Sequence, residues 1–268
     1  MSTATSASLL DSARLRTLLG AAGDRFALET LAECPSTNSL LLERALRSAV
    51  PENTLLVADR QTAGRGRMGR HWSSSAEGSL TFSLSWRFTG PPAKLSGLSL
   101  AVGLAVARGL DACGASRITL KWPNDILLDG GKVGGILIEL EAVADGMLAV
   151  IGIGLNLQLP AGDPGDFLHP PAALAQVLPV PDRHQVLAQV LLSLTEVLDH
   201  FAVSGFAVLR DDWQSRHAWQ DRPVRLLNGG TFDRQGICLG ADDDGALLLR
   251  TAQGVERFFS GDVSLRAE

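Results

Sequence analysis

The chain has 268 residues, 46% of them apolar and 20% charged, which is the balance of a globular protein with a sizeable core. Its formal net charge of -5 argues against nucleic-acid binding through a general basic surface, so any cationic site must be local. Three cysteines without disulfide or zinc spacing, and a small, polar N-terminus without a signal-peptide pattern, predict a cytosolic protein with reduced thiols.

The N-terminal part of the chain predicts little regular structure before residue 26. Residues 1–25 are rich in serine and alanine and predict a loose tail with one short helix near residues 15–19. Further along, Ser36 or Thr37 can accept hydrogen bonds from the first amides of a helix, which predicts a capped helix over residues 39–48.

Residues 26–221 predict a larger domain that contains both strands and helices. Apolar alternation and β-branched residues predict strands at 26–31, 54–59, 79–86, 118–121, 132–140 and 147–157. The turn Asp145-Gly146 predicts that the last two strands form a hairpin. Helices are predicted at 95–110 and 186–201, and polar interruptions make the first a buried helix rather than a membrane span. Together these elements predict an α+β fold, a mixed β-sheet with flanking helices.

Short strands and glycine turns characterise the C-terminal region, residues 222–268. Strands are predicted at 224–227, 232–239, 246–250 and 255–260. Turns are predicted at Asn228-Gly229-Gly230 and Asp243-Asp244-Gly245. The pattern predicts a small β-barrel appended to the main domain.

Three glycines and three arginines lie within nine residues, Gly64-Arg65-Gly66-Arg67-Met68-Gly69-Arg70-His71-Trp72. Glycines let backbone amides approach an anion, guanidiniums match phosphate and carboxylate oxygens, and Trp72 offers a flat face to a purine. The segment therefore predicts a nucleotide-binding loop, although a solvated basic loop or an RNA-binding Arg-Gly segment has the same composition. It is neither a Walker loop, since no Gly-Lys-Ser/Thr follows, nor a dinucleotide fingerprint, since no helix follows.

The turn Lys121-Trp122-Pro123-Asn124-Asp125 presents an amide and a carboxylate side by side at the end of a strand. Asn124 and Asp125 offer oxygen atoms that suit Mg²⁺ or a ribose. A turn in which Asp125 only caps backbone amides explains the same residues.

Glycines also interrupt two apolar strands. The first begins with Gly131-Lys132-Val133-Gly134-Gly135, where Lys132 at the strand mouth can neutralise a carboxylate and a phosphate. The second is Ile151-Gly152-Ile153-Gly154-Leu155-Asn156, which ends in an amide. Glycines inside strands predict the close approach of a ligand, although a solvated lysine and core packing remain simpler explanations.

These four motifs, in this order, resemble the biotin protein ligases. Each motif is modest alone, but the combination is specific and the resemblance runs from about residue 28 to the C-terminus. It implies a class II synthetase-like catalytic domain over residues 26–221 and an SH3-like β-barrel over residues 222–268 that closes over the active site and the carrier protein. Residue 134 departs slightly, because it is glycine where many relatives have alanine.

The resemblance also implies the site residues. The ureido end of biotin would be bound by Ser36, Thr37, Asn38 and Gln61, which can pair its donors and acceptor once buried. Arg65, Gly66 and Arg67 would wrap the carboxylate and phosphate, Trp72 would stack on adenine, and Asn124 with Asp125 would face the nucleotide and Mg²⁺. Further ligand-binding residues would be Gly64, Arg70, Lys132, Gly135 and Asn156.

The implied chemistry has two nucleophilic steps. The biotin carboxylate attacks the α-phosphate of ATP, and Arg65, Arg67, Lys132 and Mg²⁺ compensate the repulsion between the two anions. The lysine amine of the carrier then attacks the mixed anhydride and AMP leaves. We expect Lys132, Arg67 and Asp125 to be catalytic, with Asp125 as metal ligand and as hypothetical general base for the amine.

The expected partner is a biotin carboxyl carrier protein or domain of acetyl-CoA carboxylase or a related carboxylase. Some family members carry an N-terminal winged helix that represses transcription, for which about 25 residues before the first strand are too few, so we expect no DNA binding. We also expect no membrane partner, and a homodimer through a sheet edge is possible. A lipoate ligase or a non-catalytic biotin sensor would be the alternatives.

Overall fold

The computed structural model describes residues 8–47, 51, 53–162, 170–228, 231–259 and 263–267. Its helices are α1 (Ser12–Leu19), α2 (Thr37–Arg47), α3 (Leu98–Ala112), α4 (Arg183–Ser204) and α5 (Arg210–Ser215). Its first seven strands are β1 (Ala27–Cys34), β2 (Thr54–Gln61), β3 (Ser79–Thr89), β4 (Ile118–Lys121), β5 (Asp125–Leu128), β6 (Gly131–Val143) and β7 (Gly146–Asn156). The remaining strands are β8 (Pro223–Asn228), β9 (Thr231–Ala241), β10 (Leu247–Thr251), β11 (Gly254–Phe258) and β12 (Val263–Ala267).

The main sheet has seven strands in the order β1-β2-β3-β7-β6-β5-β4. Strands β1 and β2 run parallel, whereas every other neighbouring pair is antiparallel. The predicted hairpin of β6 and β7 is confirmed, and in it Gly135 lies opposite Gly154. The mixed sheet of the predicted α+β fold is therefore confirmed.

The two faces of the main sheet are covered differently. One face packs against α3 and α4 in a large core that includes Phe82, Ile151 and Leu194. The other face carries α2, where Leu41 packs with Leu56 and Val150 in a much smaller cluster. Because α2 covers only part of this second face, β6 and β7 leave room beside it for a cavity.

Helices α3 and α4 lie in the core and pack against each other. The stretches Pro92–Ala112 and Arg183–Ser204 have the length and hydropathy of membrane spans, with 67% and 50% of their most apolar parts buried. Such properties are shared by the core helices of globular proteins. The prediction of a buried helix at 95–110 is confirmed.

The N-terminal segment is packed, and the expectation of a loose tail is wrong from residue 8 onward. Asp11 caps α1 by accepting from the amides of Ala13 and Arg14, and its own amide donates to His184 Nε2 at 2.8 Å. Leu10, Leu15 and Leu19 are buried in the main core. Apolar contacts with α4 therefore fix this segment, and composition alone does not reveal them.

Strands β8 to β12 form a second, antiparallel sheet in the order β11-β10-β9-β8-β12. The C-terminal β-domain is thus confirmed with one strand more than predicted, and its SH3-like closure stays a prediction. The loop between β9 and β10 contacts the main domain, because Trp122 Nε1 donates to the carbonyl oxygen of Gly245 at 3.1 Å. The small sheet is therefore fixed against the turn that contains Asn124 and Asp125.

Candidate active site

A cavity of ≈ 550 Å³ lies on the α2 face of the main sheet, above β6 and β7. Most of the predicted site residues line it, namely Ser36, Thr37, Asn38, Gln61, Arg65, Gly66, Arg67, Arg70, Trp72, Asn124, Lys132, Gly135 and Asn156. Gly64 and Asp125 stand behind the wall. Motifs that are more than a hundred residues apart along the chain thus meet in one place.

Glycines on β7 make the floor of the cavity. A Cβ at residue 152 would lie 2.3 Å from Asn38 Oδ1, and one at residue 154 would lie 2.4 Å from Trp72 Cε2. A close approach to the strand therefore occurs at both positions, but the groups that approach are side chains of this protein and not a ligand. The two glycines on β6 lie in different environments, since Gly135 lines the cavity while Gly134 packs against Leu155 in the core.

The closed end of the cavity, which we call the polar end, consists of Ser36, Thr37, Asn38, Gln61 and Ser83. Gln61 Oε1 accepts from the amide of Thr37 at 2.8 Å, and Ser83 Oγ donates to Asn38 Oδ1 at 2.6 Å. Ser36, Thr37 and Asn38 are each 3% exposed. Buried polar groups of this kind keep one defined arrangement because each is held by its neighbours.

The turn before α2 supplies three of these groups. Ser36 Oγ accepts from the amide of Ser39 at 3.4 Å, and the carbonyl oxygen of Ser36 accepts from the amide of Leu40. The predicted capping by Ser36 is thus confirmed, although α2 begins at Thr37 and not at residue 39.

A further part of the cavity wall comes from residues 64–72, which we call the arginine loop. The amide of Trp72 donates to the carbonyl oxygen of Gly64 at 2.9 Å, and the amide of Gly66 donates to that of Arg70 at 2.7 Å. A turn with positive φ at Met68 and Gly69 reverses the chain between these bonds. The loop is therefore compact, and its arginines project from a short hairpin.

The side chains of the arginine loop differ in their partners. Arg65 forms an ion pair with Glu139 on β6, at 2.6 Å. Arg67 Nη1 donates to Asn124 Oδ1 at 3.2 Å, and Asn124 Nδ2 donates to the carbonyl oxygen of Ile136 at 2.8 Å. Arg67 is thereby held next to the predicted nucleotide side of the cavity.

The indole of Trp72 lies against β6 and β7, beside Gly135 and Gly154. Its Nε1 is buried and makes no hydrogen bond within the described part of the chain. A buried donor without a partner costs free energy, and a bound ligand or water can supply the acceptor.

A buried cluster of charge stands behind the cavity wall. Asp125 accepts from Lys121 Nζ at 2.9 Å with one carboxylate oxygen and from Lys132 Nζ at 2.5 Å with the other. Burial opposes ionisation of Asp125, but the charges of Lys132 and Lys121 outweigh it and hold the pKa of its carboxyl well below its usual range. Asp125 therefore remains an anion that positions Lys132.

These contacts contradict two expectations for Asp125. Both carboxylate oxygens already bind ammonium groups, so the residue is not arranged as a metal ligand. A carboxylate with a lowered pKa that stands behind the wall is also poorly suited to take a proton from an amine in the cavity. Among the described residues, no group of three or more His, Cys, Asp or Glu side chains is placed to hold a metal ion.

Asn156 closes the floor where β7 ends. Its Nδ2 donates to the carbonyl oxygens of Ala172 at 3.0 Å and of Lys132 at 3.3 Å. The amide thus fixes the start of β6, and with it Lys132, against the segment that follows residue 170. The described geometry gives Asn156 a supporting role at the wall.

Three residues of the site were not anticipated from the sequence. Ser83 lies in an ordinary alternating strand, and Lys121 and Glu139 are part of recognised motifs but received no role. The only signal in the sequence is the charge of Glu139 directly after the apolar run Ile136-Leu137-Ile138. None of the three cysteines lines the cavity, and burial raises the pKa of the thiols of Cys34, Cys113 and Cys238 to about 11.

Comparison with known proteins agrees with this arrangement. Residues 31–156 match the biotin/lipoate A/B protein ligase family, and residues 221–266 match the biotin protein ligase C terminal domain. The bifunctional ligase/repressor BirA of Bacillus subtilis is 37% identical over 86% of this chain and 71% of its own length. The biotin--[acetyl-CoA-carboxylase] ligase of Paracoccus denitrificans is 37% identical over 86% of this chain and its entire own length.

A solved structure gives the same result. The biotin protein ligase from Aquifex aeolicus in complex with biotin and ATP superposes with a TM-score of 0.76 and 33% identity, covering 90% of this chain and 99% of its own. The chain belongs to the biotin protein ligase family.

Proposed function

We propose that this protein activates biotin with ATP as biotinyl-AMP and transfers the biotin to a lysine of a carrier protein. The observation that carries the proposal is the single cavity that joins a closed polar end to a cationic end formed by Arg67 and Lys132. A small uncharged ring with hydrogen-bonding groups suits the first end, and a carboxylate meeting a phosphate suits the second.

The polar end is suited to the ureido ring of biotin. Asn38 Oδ1 accepts one hydrogen bond from Ser83, and its second lone pair can accept from a ligand N–H. Gln61 uses its oxygen for Thr37, which leaves its amino group to donate to a ureido oxygen. The valerate chain would then extend over Gly152 and Gly154 toward Lys132.

The first step joins two anions. A carboxylate oxygen of biotin attacks the α-phosphorus of ATP, the bond to the β-phosphate bridging oxygen breaks, and pyrophosphate leaves. Lys132 and Arg67 lie where they can stabilise the charge that builds up on the non-bridging oxygens. Trp72 offers its indole face to adenine, and its unpaired Nε1 offers a donor.

The second step forms the amide bond. The neutral amine of the acceptor lysine attacks the carbonyl carbon of biotinyl-AMP, the carbon–oxygen bond to the phosphate breaks, and AMP leaves with the negative charge. Asp125 contributes by holding Lys132 at the leaving phosphate. The proton of the amine passes to solvent or to the leaving group.

Magnesium enters as part of the MgATP substrate. The described residues offer no acidic cluster for a resident ion, and both oxygens of Asp125 are occupied by lysines. The triphosphate itself supplies the hard oxygen ligands that Mg²⁺ prefers.

The acceptor is proposed to be the biotin carboxyl carrier of acetyl-CoA carboxylase or of a related carboxylase, and the protein to act in the cytoplasm. We further propose a catalytic domain over residues 26–221 and a carrier-closing domain over residues 222–268. Operator DNA is not among the proposed partners. A salt-sensitive, sequence-specific gel shift on the promoter of the biotin genes would contradict that part.

The exchange of labelled pyrophosphate into ATP tests the first step directly. The purified protein should catalyse this exchange when biotin is present. It should not catalyse the exchange when no acid is added or when lipoic acid replaces biotin. Biotin should also raise the melting temperature in a thermal shift assay, whereas lipoic acid should not. Exchange that requires lipoic acid, or binding of biotin without exchange, would contradict the proposal.

A further inference from the structure

Glu139 is the one acidic side chain that contacts both ends of the recognition machinery within the described residues. Its Oε2 accepts from Asn38 Nδ2 at 2.9 Å and from Arg65 Nη2 at 2.6 Å, and its Oε1 accepts from Arg65 Nη2 at 2.9 Å. One carboxylate on β6 thus joins a buried group of the polar end to a side chain of the arginine loop.

The contact with Glu139 determines which way the amide of Asn38 faces. Both hydrogens of Nδ2 are used, one by Glu139 and the other by the carbonyl oxygen of Leu137 at 3.1 Å. A flipped amide would place its oxygen against two acceptors, which is repulsive. The oxygen therefore faces Ser83 and the cavity, where it can only accept.

The same carboxylate determines where Arg65 lies. Because Asn38 and Arg65 bind one group, the guanidinium of Arg65 stands beside the polar end, at Glu139, which is seven residues along β6 from Lys132. Arg67, two residues later, is held instead beside Asn124. Arg65 and Arg67, two of the three arginines of the loop, are therefore held at different ends of the cavity.

We propose that Glu139 is a positioning residue that orients Asn38 and fastens Arg65 to β6, so that Arg65 closes the cavity over the ureido ring and does not bind the reacting carboxylate. The inference rests on the proposed function, because it assigns the polar end to the ureido group. It changes the role of Arg65 that the family resemblance implies and leaves the carboxylate to Arg67 and Lys132.

Comparing the binding of biotin with that of biotinol, the alcohol that lacks the carboxylate, shows whether Arg65 serves the ureido ring or the carboxylate. With Glu139→Gln, either orientation of the new amide places an N–H group against Asn38 or Arg65, so a charge-assisted hydrogen bond is lost. We expect the Kd of biotin and the Kd of biotinol, measured by calorimetry, both to rise about tenfold and by the same factor. Arg65→Gln should also weaken both ligands equally.

Two controls separate positioning from folding. Glu141→Gln removes a carboxylate from the same strand, two residues away, and should leave both Kd values unchanged. Glu139→Gln should raise the KM for biotin while the KM for ATP stays within about twofold, and Glu139→Asp, which keeps the charge, should recover part of the affinity. A double variant Arg65→Gln/Glu139→Gln should be no weaker than the poorer single variant, since the two changes break one contact.

A weakening by Arg65→Gln that affects biotin but spares biotinol would overturn the proposal, because Arg65 would then serve the carboxylate. Unchanged biotin binding by Glu139→Gln would overturn it as well. Failure of the proposed function would look different, since wild-type protein and Glu141→Gln would then show no biotin-dependent pyrophosphate exchange.

Discussion

The polar end and the arginine loop differ in how they prepare for a ligand. The polar end is built from buried and half-buried side chains on β2, β3, α2 and the turn before α2, and these side chains hydrogen-bond to one another. In the arginine loop, which is a short hairpin of glycine-rich chain, Arg67 is half-buried and Arg70 is exposed. Recognition of a neutral ring therefore uses buried groups that hold one another in place, whereas recognition of polyanions uses charged groups that stay at least partly in contact with water.

The difference has a physical origin. Hydroxyl and amide groups are stable when buried if every one has a partner. Three guanidiniums in one buried place would repel each other and lose hydration without compensation. Lys132, a cationic group that is partly buried at the cavity, has Asp125 as its partner.

Removal of the Lys132 ammonium should have the largest effect on the cationic end. Lys132→Ala should lower the rate of biotin-dependent pyrophosphate release about 10²–10³-fold, as expected for loss of a group that stabilises charge in the transition state. Calorimetric binding of biotinol should change little. Equal losses in adenylation and in biotinol binding would mean that the two ends do not act separately.

The Asp125 cluster should make the next largest contribution, to stability. Asp125→Asn removes a negative charge from beside the buried ammonium of Lys121, which is 3% exposed, and should lower the free energy of unfolding by about 3–5 kcal/mol in urea titrations. Glu33→Gln removes an exposed pair with Arg60 and should cost less than about 1 kcal/mol.

The pH dependence of this contribution has a defined sign. The pKa of Asp125 is lower in the folded than in the unfolded chain, so its stabilisation is complete at neutral pH and is lost as the pH falls below about 4. The free energy of unfolding of Asp125→Asn, measured in urea, should therefore fall less steeply with decreasing pH than that of the wild type. If the free energies of unfolding of the two proteins fell in parallel in acid, the carboxylate of Asp125 would not be stabilised by its lysine partners.

Gly152 and Gly154, on the floor of the cavity, test whether the two ends bind different substrates. Gly152→Ala adds a methyl group against Asn38, so the KM for biotin should rise about tenfold with little change in the KM for ATP. Gly154→Ala adds one against Trp72 and should raise the KM for ATP instead. Gly103→Ala, in helix α3, meets no atom closer than 3.6 Å and should leave both KM values unchanged.

Arg70 should show the smallest effect. Its side chain is exposed and its Nε donates to the carbonyl oxygen of Arg67 at 3.2 Å. Arg70→Gln should raise the KM for ATP by about threefold or less at physiological salt, and the difference should shrink as salt is added because exposed charges are screened. A large effect that is independent of salt would mean that Arg70 contacts the nucleotide directly and is not a screened surface charge.

Much of the cavity could be predicted because its residues are chemically unusual in their elements. Paired glycines in apolar strands and clustered arginines in an acidic chain stand out, and they do meet. Strand β5 is not predicted, because it has only four residues and the first of them, Asp125, belongs to a turn motif. The packing of α1 depends on contacts with α4, which lies more than 150 residues away in the chain.

The partnerships between charges were harder to predict. The approach of Lys121 and Lys132 to the two oxygens of one carboxylate follows from the pairing of β4, β5 and β6. Ser83 likewise has the composition of any strand residue and acquires its role only because β3 lies next to β7. Such roles depend on register, which motifs do not encode.

The mass of an unmodified carrier domain, incubated with the purified protein, biotin and MgATP, tests the proposed ligation most directly. The predicted result is a gain of one biotinyl group that disappears when ATP is left out. An unchanged mass without pyrophosphate release would contradict the ligase, whereas an unchanged mass with pyrophosphate released would contradict the choice of carrier.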